Sequence, residues 1–420
     1  MKILVSSIVD LKNSAHNSRL HQFLKYLSRD HDISVLSVND CWKAKCDQTA
    51  ENYSQSFKDL FDKIDLFYLT NKQVSPIVQE ALSVVTVRGT LDKIGISDYD
   101  VHFNYNGMMS GYAVTRSAHS HGVSTAPIDL SSAYAPEVTR SAHSHGVSTV
   151  YDIADDLPEM IRTSPQIPSF VRSTGGWIGK ALLNKGIQTS ERVTITTESL
   201  CKIYDIPKEK RTLLPNGVDI ELFTSRPCDH IKEKYGLEDS FVVGHVGVLR
   251  EWLDLEPLFV AIRELASKIN IKLLIVGGGA GYGKTVEMAR DLGIMNHTIF
   301  TGTVPYSLVP GYISCMNVGV IPFKQDNVSN NSLPLKLFEY MACGVPVVST
   351  HVDAIEKTFG QTVRFVSNAN EYVQEIMELY QDPNQGSRLG SEGRRIVEGE
   401  YQWAAISKKL EHILINAGCS

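Results

Sequence analysis

A chain of 420 residues is too long for one hydrophobic core, and about 150 residues per domain predicts two or three domains. Its composition, 43% hydrophobic and 21% charged, is that of an ordinary globular protein, and a net charge of −6 with both signs spread along the chain argues against a nucleic-acid-binding surface. Seven scattered cysteines indicate free thiols in a reducing cytosol rather than a disulfide framework or a zinc site. The first ten residues predict a strand rather than a signal peptide, and no run approaches the about 18 apolar residues of a transmembrane helix. We therefore expect a cytoplasmic protein that is at most peripheral at the inner face of the membrane.

Strand-like apolar runs alternate with amphipathic stretches along the whole chain, which is the pattern of parallel α/β sheets. The first series of predicted strands lies at residues 2–7, 32–38, 65–69, 100–105, 148–153 and 192–196. The second series lies at residues 241–248, 271–278, 297–302, 317–323, 345–350 and 362–366.

The two series predict two Rossmann-like domains, residues 1–225 and 226–402, followed by an amphipathic helix at 403–420. Residues 213–236, which hold Pro, Gly and charged residues but little core pattern, predict the linker. In such folds ligands bind at the carboxyl ends of the strands, so we expect a cleft between the domains there.

One segment of the chain occurs twice: VTRSAHSHGVST fills residues 114–125 and again 138–149, 24 residues apart. The 24 residues of one repeat are enough for one helix and one strand. Two copies are too few for a solenoid, so we interpret the repeat as a duplicated helix–strand segment. Alternate residues of a helix point to different sides and cannot chelate one metal ion, so we expect no metal at the doubled histidines. They are His119, His121, His143 and His145.

The most informative stretch, residues 327–350, joins an Asn-rich loop to a Pro, a short helix and a strand. The free N–H groups and positive dipole end of such a helix suit a phosphate. Lys336 and Glu339 share one face of it, so Lys336 could face a phosphate and Glu339 could accept hydrogen bonds from a ribose. The alternative is an ordinary ion pair on a solvated helix.

This stretch resembles the signature of the retaining GT-B glycosyltransferases known as group 1 or family 4, in which a glutamate precedes A-x-G-x-P-V-V. Residues 213–223, with PNGVD, and 273–323 also resemble segments of that family, while GHVGVLREWLDLEPL (244–258) resembles one of its branches. The resemblance is close over residues 240–402 and loose before them.

The resemblance implies a GT-B fold, with two parallel-sheet domains facing each other across a cleft, and a transferase that retains anomeric configuration. It implies a nucleotide diphosphate sugar as donor, bound to the C-terminal domain without a metal or other cofactor, and a carbohydrate or lipid-linked acceptor bound to the N-terminal domain. The residues it places in catalysis are Arg250, Lys336 and Glu339. Those it places at the donor are Gly247, Gly278, Asn331, Ser332, Leu333 and Glu339.

Two family positions differ in this chain. Asn331 stands where the family has its first glutamate, and the Arg and Lys usual after the first C-domain strand are absent, which leaves Arg250 and Lys336 as substitutes. These differences keep open a catalytically weakened relative that only binds.

Polar residues follow several predicted strands of the first domain. They could hold acceptor hydroxyls, or could simply cap helices and connect strands. These acceptor-side candidates are Asp10, Asn104, Asn106, Asp155 and Asp156.

Two further stretches carry alternatives. Residues 278–285, GGAGYGKT, fit the P-loop pattern of nucleotide-hydrolysing proteins. Such proteins also need a strand that ends in a magnesium-binding Asp, and the predicted strand at residues 317–323 does not. Residues 170–186 mix aromatic and basic residues and predict either a helix at a membrane surface or an ordinary amphipathic helix packed on the first sheet.

Overall fold

The computed structural model describes residues 1–8, 10–12, 19–38, 57–69, 76–119, 147–164, 167–250 and 252–419. They form two compact units, Met1–Leu214 with Ser407–Ser420, and Pro215–Ile406. The boundary therefore falls at 214/215 rather than at 225/226, and most of the last helix groups with the N-terminal unit. In the described ranges, no helix is long and apolar enough to cross a membrane.

The N-terminal unit is built on a parallel sheet of seven strands in the order β3-β2-β1-β4-β5-β6-β7. Its central strands are buried on both faces, as expected of a parallel sheet covered by helices. The strands are β1 (Lys2–Ser7), β2 (Asp32–Ser37), β3 (Ile64–Tyr68), β4 (Val101–Tyr105), β5 (Ser148–Ile153), β6 (Arg192–Ile195) and β7 (Arg211–Leu213).

Helices alternate with these strands, and a short 3₁₀ helix, Ile96–Asp98, precedes β4. The helices are α1 (Arg19–Leu27), α2 (Lys58–Phe61), α3 (Pro76–Ile94), α4 (Met109–His119), α5 (Leu157–Thr163), α6 (Ser169–Thr189) and α7 (Glu198–Ile203).

The duplicated segment is divided between two elements. The end of α4 takes its residues from the first copy, whereas β5 begins with the last residues of the second copy. β4 is hydrogen-bonded directly to β5, with Tyr105 opposite Asp152. The two strands are therefore neighbours despite the 24 surplus residues.

The C-terminal unit holds a second parallel sheet, with six strands in the order β10-β9-β8-β11-β12-β13. The strands are β8 (Phe241–Val246), β9 (Ile271–Val276), β10 (Thr298–Gly302), β11 (Val318–Ile321), β12 (Val347–Thr350) and β13 (Val363–Val366).

Helices again lie between the strands, together with 3₁₀ turns at Met295–His297 and Tyr306–Leu308. The last three helices follow β13, and most of the final one groups with the N-terminal unit. The helices are α8 (Asp229–Tyr235), α9 (Glu256–Leu265), α10 (Tyr282–Asp291), α11 (Val309–Ser314), α12 (Asn327–Asn330), α13 (Leu335–Ala342), α14 (Asp353–Phe359), α15 (Ala369–Gln381), α16 (Pro383–Glu400) and α17 (Trp403–Gly418).

Each predicted strand is present, and both halves have the Rossmann-like architecture expected of a GT-B fold. Strand β7 was not predicted, because its three residues, Arg, Thr and Leu, show neither an apolar run nor an alternation. It extends the first sheet at the edge beside β6.

Candidate functional site

Two turns at the carboxyl ends of β8 and β9 are hydrogen-bonded to each other. The N–H of Leu249 donates to the carbonyl of Gly278 at 2.8 Å, and the N–H of Gly281 donates to the carbonyl of Leu249 at 2.9 Å. A Cβ atom on Gly277 would lie 2.0 Å from the carbonyl oxygen of Gly247, so only glycine allows this approach. The turns form one rigid surface at the sheet edge where ligands of such folds bind.

Lys336, on the first turn of α13, lies against this surface. Its Nζ is 3.4 Å from Nε2 of His245 and 5.6 Å from the ring centroid of Phe323. A Cβ on Gly247 would come within 2.8 Å of the same Nζ. Burial lowers the pKa of Lys336 to about 8, while the Glu339 carboxylate opposes that shift. The ammonium has a neutral imidazole as its hydrogen-bond partner, so its charge is available to an anionic ligand.

Glu339 lies one turn further along α13 and is 8% exposed. Its Oε1 accepts a hydrogen bond from the Tyr306 hydroxyl at 3.2 Å. Burial raises the pKa of Glu339 to about 7, while Tyr306 and Lys336 oppose that shift. The solvated ion pair considered from sequence is therefore wrong, because Glu339 is buried and bonded to Tyr306 rather than to Lys336.

The position of α13 is fixed from its other side. The N–H of Val246 donates to the Tyr340 hydroxyl oxygen at 2.7 Å, and Gly319 leaves room for the Tyr340 ring, which a Cβ would meet at 2.8 Å. The Asn216 side chain donates to the Leu333 carbonyl at 2.8 Å. The Tyr340 contacts hold α13 against β11 and the end of β8, and the Asn216 contact holds the chain just before the helix.

The loop before α13 differs from what the family resemblance implies. The N–H of Ser332 donates to the Ser329 carbonyl at 3.0 Å and its hydroxyl to the Val328 carbonyl at 2.9 Å, so its donors are used inside the loop. The Asn331 side chain donates to the Asn327 carbonyl at 2.6 Å. The first turn of α13 still provides N–H groups that precede the first intrahelical bond and lie beside Lys336.

Arg250 ends the turn that follows β8. Its guanidinium carbon lies 5.1 Å from the ring centroid of Trp252, a cation–π distance that directs the side chain along the rim of the turn. The neighbouring N–H of Lys324 donates to the Trp252 carbonyl at 2.8 Å and ties this turn to the one after β11.

The glycine-rich turn at residues 278–285 lacks the donor arrangement of a P-loop, in which backbone N–H groups cradle phosphates and a Thr hydroxyl binds magnesium. The N–H of Gly281 is already donated to Leu249, and the Thr285 hydroxyl donates to the Gly281 carbonyl at 2.9 Å. Lys284 is exposed. The turn is a close connection between β9 and α10.

A buried ion pair lies at the carboxyl edge of the N-terminal sheet. Arg19 Nε and Nη2 donate to the two carboxylate oxygens of Asp152 at 2.9 and 3.0 Å, and the Thr194 hydroxyl donates to the same carboxylate at 2.5 Å. Both side chains of the pair are almost fully buried. The network joins α1, β5 and β6.

Four of the five acceptor-side candidates are buried and bonded to the protein. Asp10 accepts from the N–H of Lys12 at 3.0 Å, and Asn106 accepts from the N–H of Ala154 at 3.3 Å. Asn104 bonds to both the N–H and the carbonyl of Gly107, each at 3.1 Å. These hydrogen bonds stabilise the turns that follow the strands.

Asp156 caps α5 by accepting from the N–H of Glu159 at 3.1 Å, and it also accepts from the Tyr204 hydroxyl at 2.5 Å. Asp156 therefore caps a helix, which was the alternative to holding an acceptor hydroxyl. Asp155 is the exposed member of the five candidates.

Glu80, on α3, was missed from sequence. It is 8% exposed and accepts from the N–H groups of Met109 and Ser110 at 3.0 and 3.1 Å and from the Ser110 hydroxyl. Burial raises its pKa. The carboxylate caps the start of α4 from another helix, so no local spacing in the sequence could have indicated it.

The doubled histidines fall largely outside the described residues: His119 is the last residue of α4, and His121, His143 and His145 lie beyond it. Within the described ranges, no group of three or more His, Cys, Asp or Glu side chains is placed to hold a metal ion.

The sequence of the unit that carries Lys336 and Glu339 matches a known family: residues 229–396 match the model of the glycosyl transferases group 1. This domain belongs to the group 1 glycosyltransferases. The stretch that resembles the family signature thus contains the helix that presents the partly buried lysine and the buried glutamate.

Two relatives of this group 1 domain are named as sugar transferases. A GDP-mannose-dependent alpha-(1-6)-phosphatidylinositol monomannoside mannosyltransferase of Mycolicibacterium smegmatis is 28% identical over 48% of this chain and 55% of its own length. A putative teichuronic acid biosynthesis glycosyltransferase of Bacillus subtilis is 30% identical over 41% of this chain and 43% of its own length. The chain thus spans about half the length of these curated relatives.

The fold similarity extends over both units. The crystal structure of Anabaena HepE in complex with UDP and glucose covers 99% of both chains with a TM-score of 0.71 and 16% identity. The chain therefore has the GT-B fold of that structure.

Proposed function

We propose that this chain is a retaining glycosyltransferase that moves a sugar from a nucleotide diphosphate sugar to a carbohydrate or lipid-linked acceptor. One observation carries the proposal: a single helix of a group 1 domain presents both a partly buried Lys336 and a buried Glu339. Lys336 has a neutral imidazole as its partner, and Glu339 is bonded to Tyr306. The donor needs no further cofactor or metal in this proposal.

The chemistry follows from charge. As the sugar leaves, negative charge develops on the diphosphate, and a cation already fixed in a partly desolvated site stabilises it without reorganising. Lys336 supplies that cation, and the N–H groups at the start of α13 add partial positive charge. Arg250, at the rim, is the second cation.

Glu339 has the complementary role toward the ribose of the donor. Oε1 of Glu339 accepts from Tyr306, whereas Oε2 accepts no hydrogen bond from the residues that the structure describes. An ionised carboxylate can accept from both hydroxyls of a ribose. Relatives named for GDP-mannose and a fold neighbour solved with UDP make GDP and UDP the nucleotides to test first.

Replacing Glu339 with alanine should weaken binding of the nucleotide by about 1.5–3 kcal/mol, the range for a hydrogen bond to a charged group. Titration calorimetry with UDP and GDP measures this. Glu287→Ala, which removes an exposed carboxylate of α10, is the control. Equal affinities for wild type and Glu339→Ala would remove Glu339 from the site.

Transfer itself separates an enzyme from a binding relative. Incubation with UDP-, GDP- and dTDP-sugars and an acceptor extract should release the free nucleotide, and Glu339→Ala should slow the release. Nucleotide binding without release would favour the weakened relative, whereas ATP hydrolysis lost on Lys284→Ala would favour a P-loop protein.

A membrane-facing acceptor side is supported by α6. Phe170 and Trp177 lie two turns apart on this helix and are 83% and 58% exposed. The helix carries Arg172, Lys180 and Lys185 and no acidic residue. Exposed aromatic side chains beside basic ones suit an anionic lipid surface.

The chain should co-sediment with phosphatidylglycerol vesicles at low salt and not with phosphatidylcholine vesicles. Exchanging both Phe170 and Trp177 for serine should reduce vesicle binding at least about tenfold, because each aromatic ring contributes roughly 1.5–3 kcal/mol when buried. Val85→Ser, at an 80% exposed position on α3, is the control. No sedimentation of the wild type with anionic vesicles would contradict a membrane role for α6.

A further inference from the structure

His245 lies within β8 and is fully buried. Its Nδ1 is 3.2 Å from the Val320 carbonyl oxygen, and its Nε2 is 3.4 Å from Lys336 Nζ. A carbonyl oxygen can only accept, so Nδ1 carries the proton, and Nε2 is left with a lone pair. That lone pair faces a group that can only donate.

The imidazole is neutral. Burial and then the nearby Lys336 charge lower the pKa of His245 well below its ordinary value. A second positive charge on the ring would repel the ammonium and would leave Nε2 with a proton but no acceptor. The neutral tautomer with the proton on Nδ1 satisfies both contacts.

We propose that His245 is a positioning residue that holds the Lys336 ammonium, through Nε2, at the Gly247 turn where a diphosphate would bind. The contacts on either side of the ring fix its plane, and the plane fixes the direction from which the ammonium is held. This inference rests on the proposed function, since it assigns the diphosphate as the ligand of Lys336.

The chemistry of the acceptor explains why a histidine stands in an apolar strand. A carboxylate at this position would also hold Lys336, but it would neutralise the charge and compete with the phosphate oxygens. A methionine or valine would leave a partly buried ammonium without an acceptor, which is costly. A neutral imidazole orients the cation and leaves its charge for the ligand.

Two substitutions distinguish the contribution of the Nδ1 contact from that of the Nε2 contact. In His245→Asn the side-chain NH₂ can replace Nδ1 and keep the bond to Val320, but the acceptor at the Nε2 position is lost. In His245→Gln the side-chain oxygen can reach the Nε2 position and accept from Lys336. A structural role through Val320 predicts that Asn is tolerated better, whereas the positioning role predicts that Gln is.

The first measurement is calorimetric affinity for UDP and GDP in both variants, in Lys336→Met and in Lys336→Met combined with His245→Asn. We expect the Asn variant to bind about tenfold more weakly, by analogy with other hydrogen bonds to charged groups, and the Gln variant to bind nearly as wild type. Because His245 acts through Lys336, the double variant should bind no more weakly than Lys336→Met alone. Additive losses in the double variant would overturn the proposal.

The second measurement needs no nucleotide. The ¹³Cε chemical shift of Lys336, assigned by its loss in Lys336→Met, gives the pKa of the ammonium by titration. Removing the acceptor should lower this pKa further in the Asn variant and not in the Gln variant. An unchanged Lys336 pKa in the Asn variant, or a Gln variant that folds but binds as weakly as the Asn variant, would overturn the positioning role. If neither UDP nor GDP binds the wild type, the proposed function fails, while the pKa difference still decides the role of His245.

Discussion

Exchanging Asp152 for alanine should destabilise the N-terminal unit by about 3–5 kcal/mol, because it leaves the Arg19 guanidinium buried without its partner. The loss includes the Thr194 hydroxyl, which donates to the same carboxylate. The free energy of unfolding of a typical domain is only about 5–15 kcal/mol, so the N-terminal unit should lose a large part of its stability.

Hydrogen exchange followed by mass spectrometry resolves the expected loss by region. Peptides from β4, β5 and β6 should lose protection, whereas those from β8 and β9 should not and serve as an internal control. Asp65→Ala, at an exposed carboxylate of β3, is the control and should change stability by less than about 0.5 kcal/mol. Protection of β5 that is unchanged in Asp152→Ala would show that the ion pair is not needed for the fold. Arg19→Met combined with Asp152→Leu should recover part of the loss, because no charge is then left unpaired.

Replacing Lys336 with methionine should lower the rate of sugar transfer about 10²–10³-fold, the range for losing one fixed electrostatic partner of a developing charge. Methionine ends one atom before the ammonium nitrogen, so it removes the charge and keeps an unbranched apolar side chain as far as the Cε position beside Gly247. The measurement is release of nucleotide from the donor sugar that the wild type accepts. Lys284→Met, at an exposed lysine of the other turn, is the control and should transfer normally. Equal rates in wild type and Lys336→Met would exclude Lys336 from catalysis.

The pH dependence of transfer should also follow the charge states of Lys336 and Glu339. Lys336, with its pKa lowered to about 8, loses its charge as the pH rises through that value, and transfer should fall on the alkaline side. Glu339, with its pKa raised to about 7, is protonated as the pH falls through that value, and donor binding should weaken on the acid side. Lys336→Arg, which stays charged, should remove the alkaline decline, whereas an unchanged decline would assign it to another group.

Local sequence signals were enough to predict every strand except β7, and the helix that presents Lys336 and Glu339. Apolar runs and the Pro-helix-Gly pattern depend on a few consecutive residues, so they indicate strands and helix ends independently of the rest of the sequence. The family resemblance added the roles expected of Lys336 and Glu339, which periodicity alone could not supply.

The partners of these residues could not be predicted in the same way. His245 contacts Lys336 across 91 positions of the chain, and Arg19 contacts Asp152 across 133. A polar residue in a strand shows that some partner is needed, but not which one. For the same reason Asn104 and Asp10 were predicted at an acceptor site, whereas their hydrogen bonds close turns of the scaffold.

The duplicated segment bears on how this sheet tolerates changes of chain length. α4 ends at His119 and β5 begins at Ser148, so residues 120–147, a stretch of 28, connect them, and without the 24 surplus residues the connection would be 4. Because the helix draws on one copy and the strand on the other, neither side of the β4–β5 pairing had to move. The junction is thus a place where the chain lengthens without a change of strand order in the N-terminal sheet.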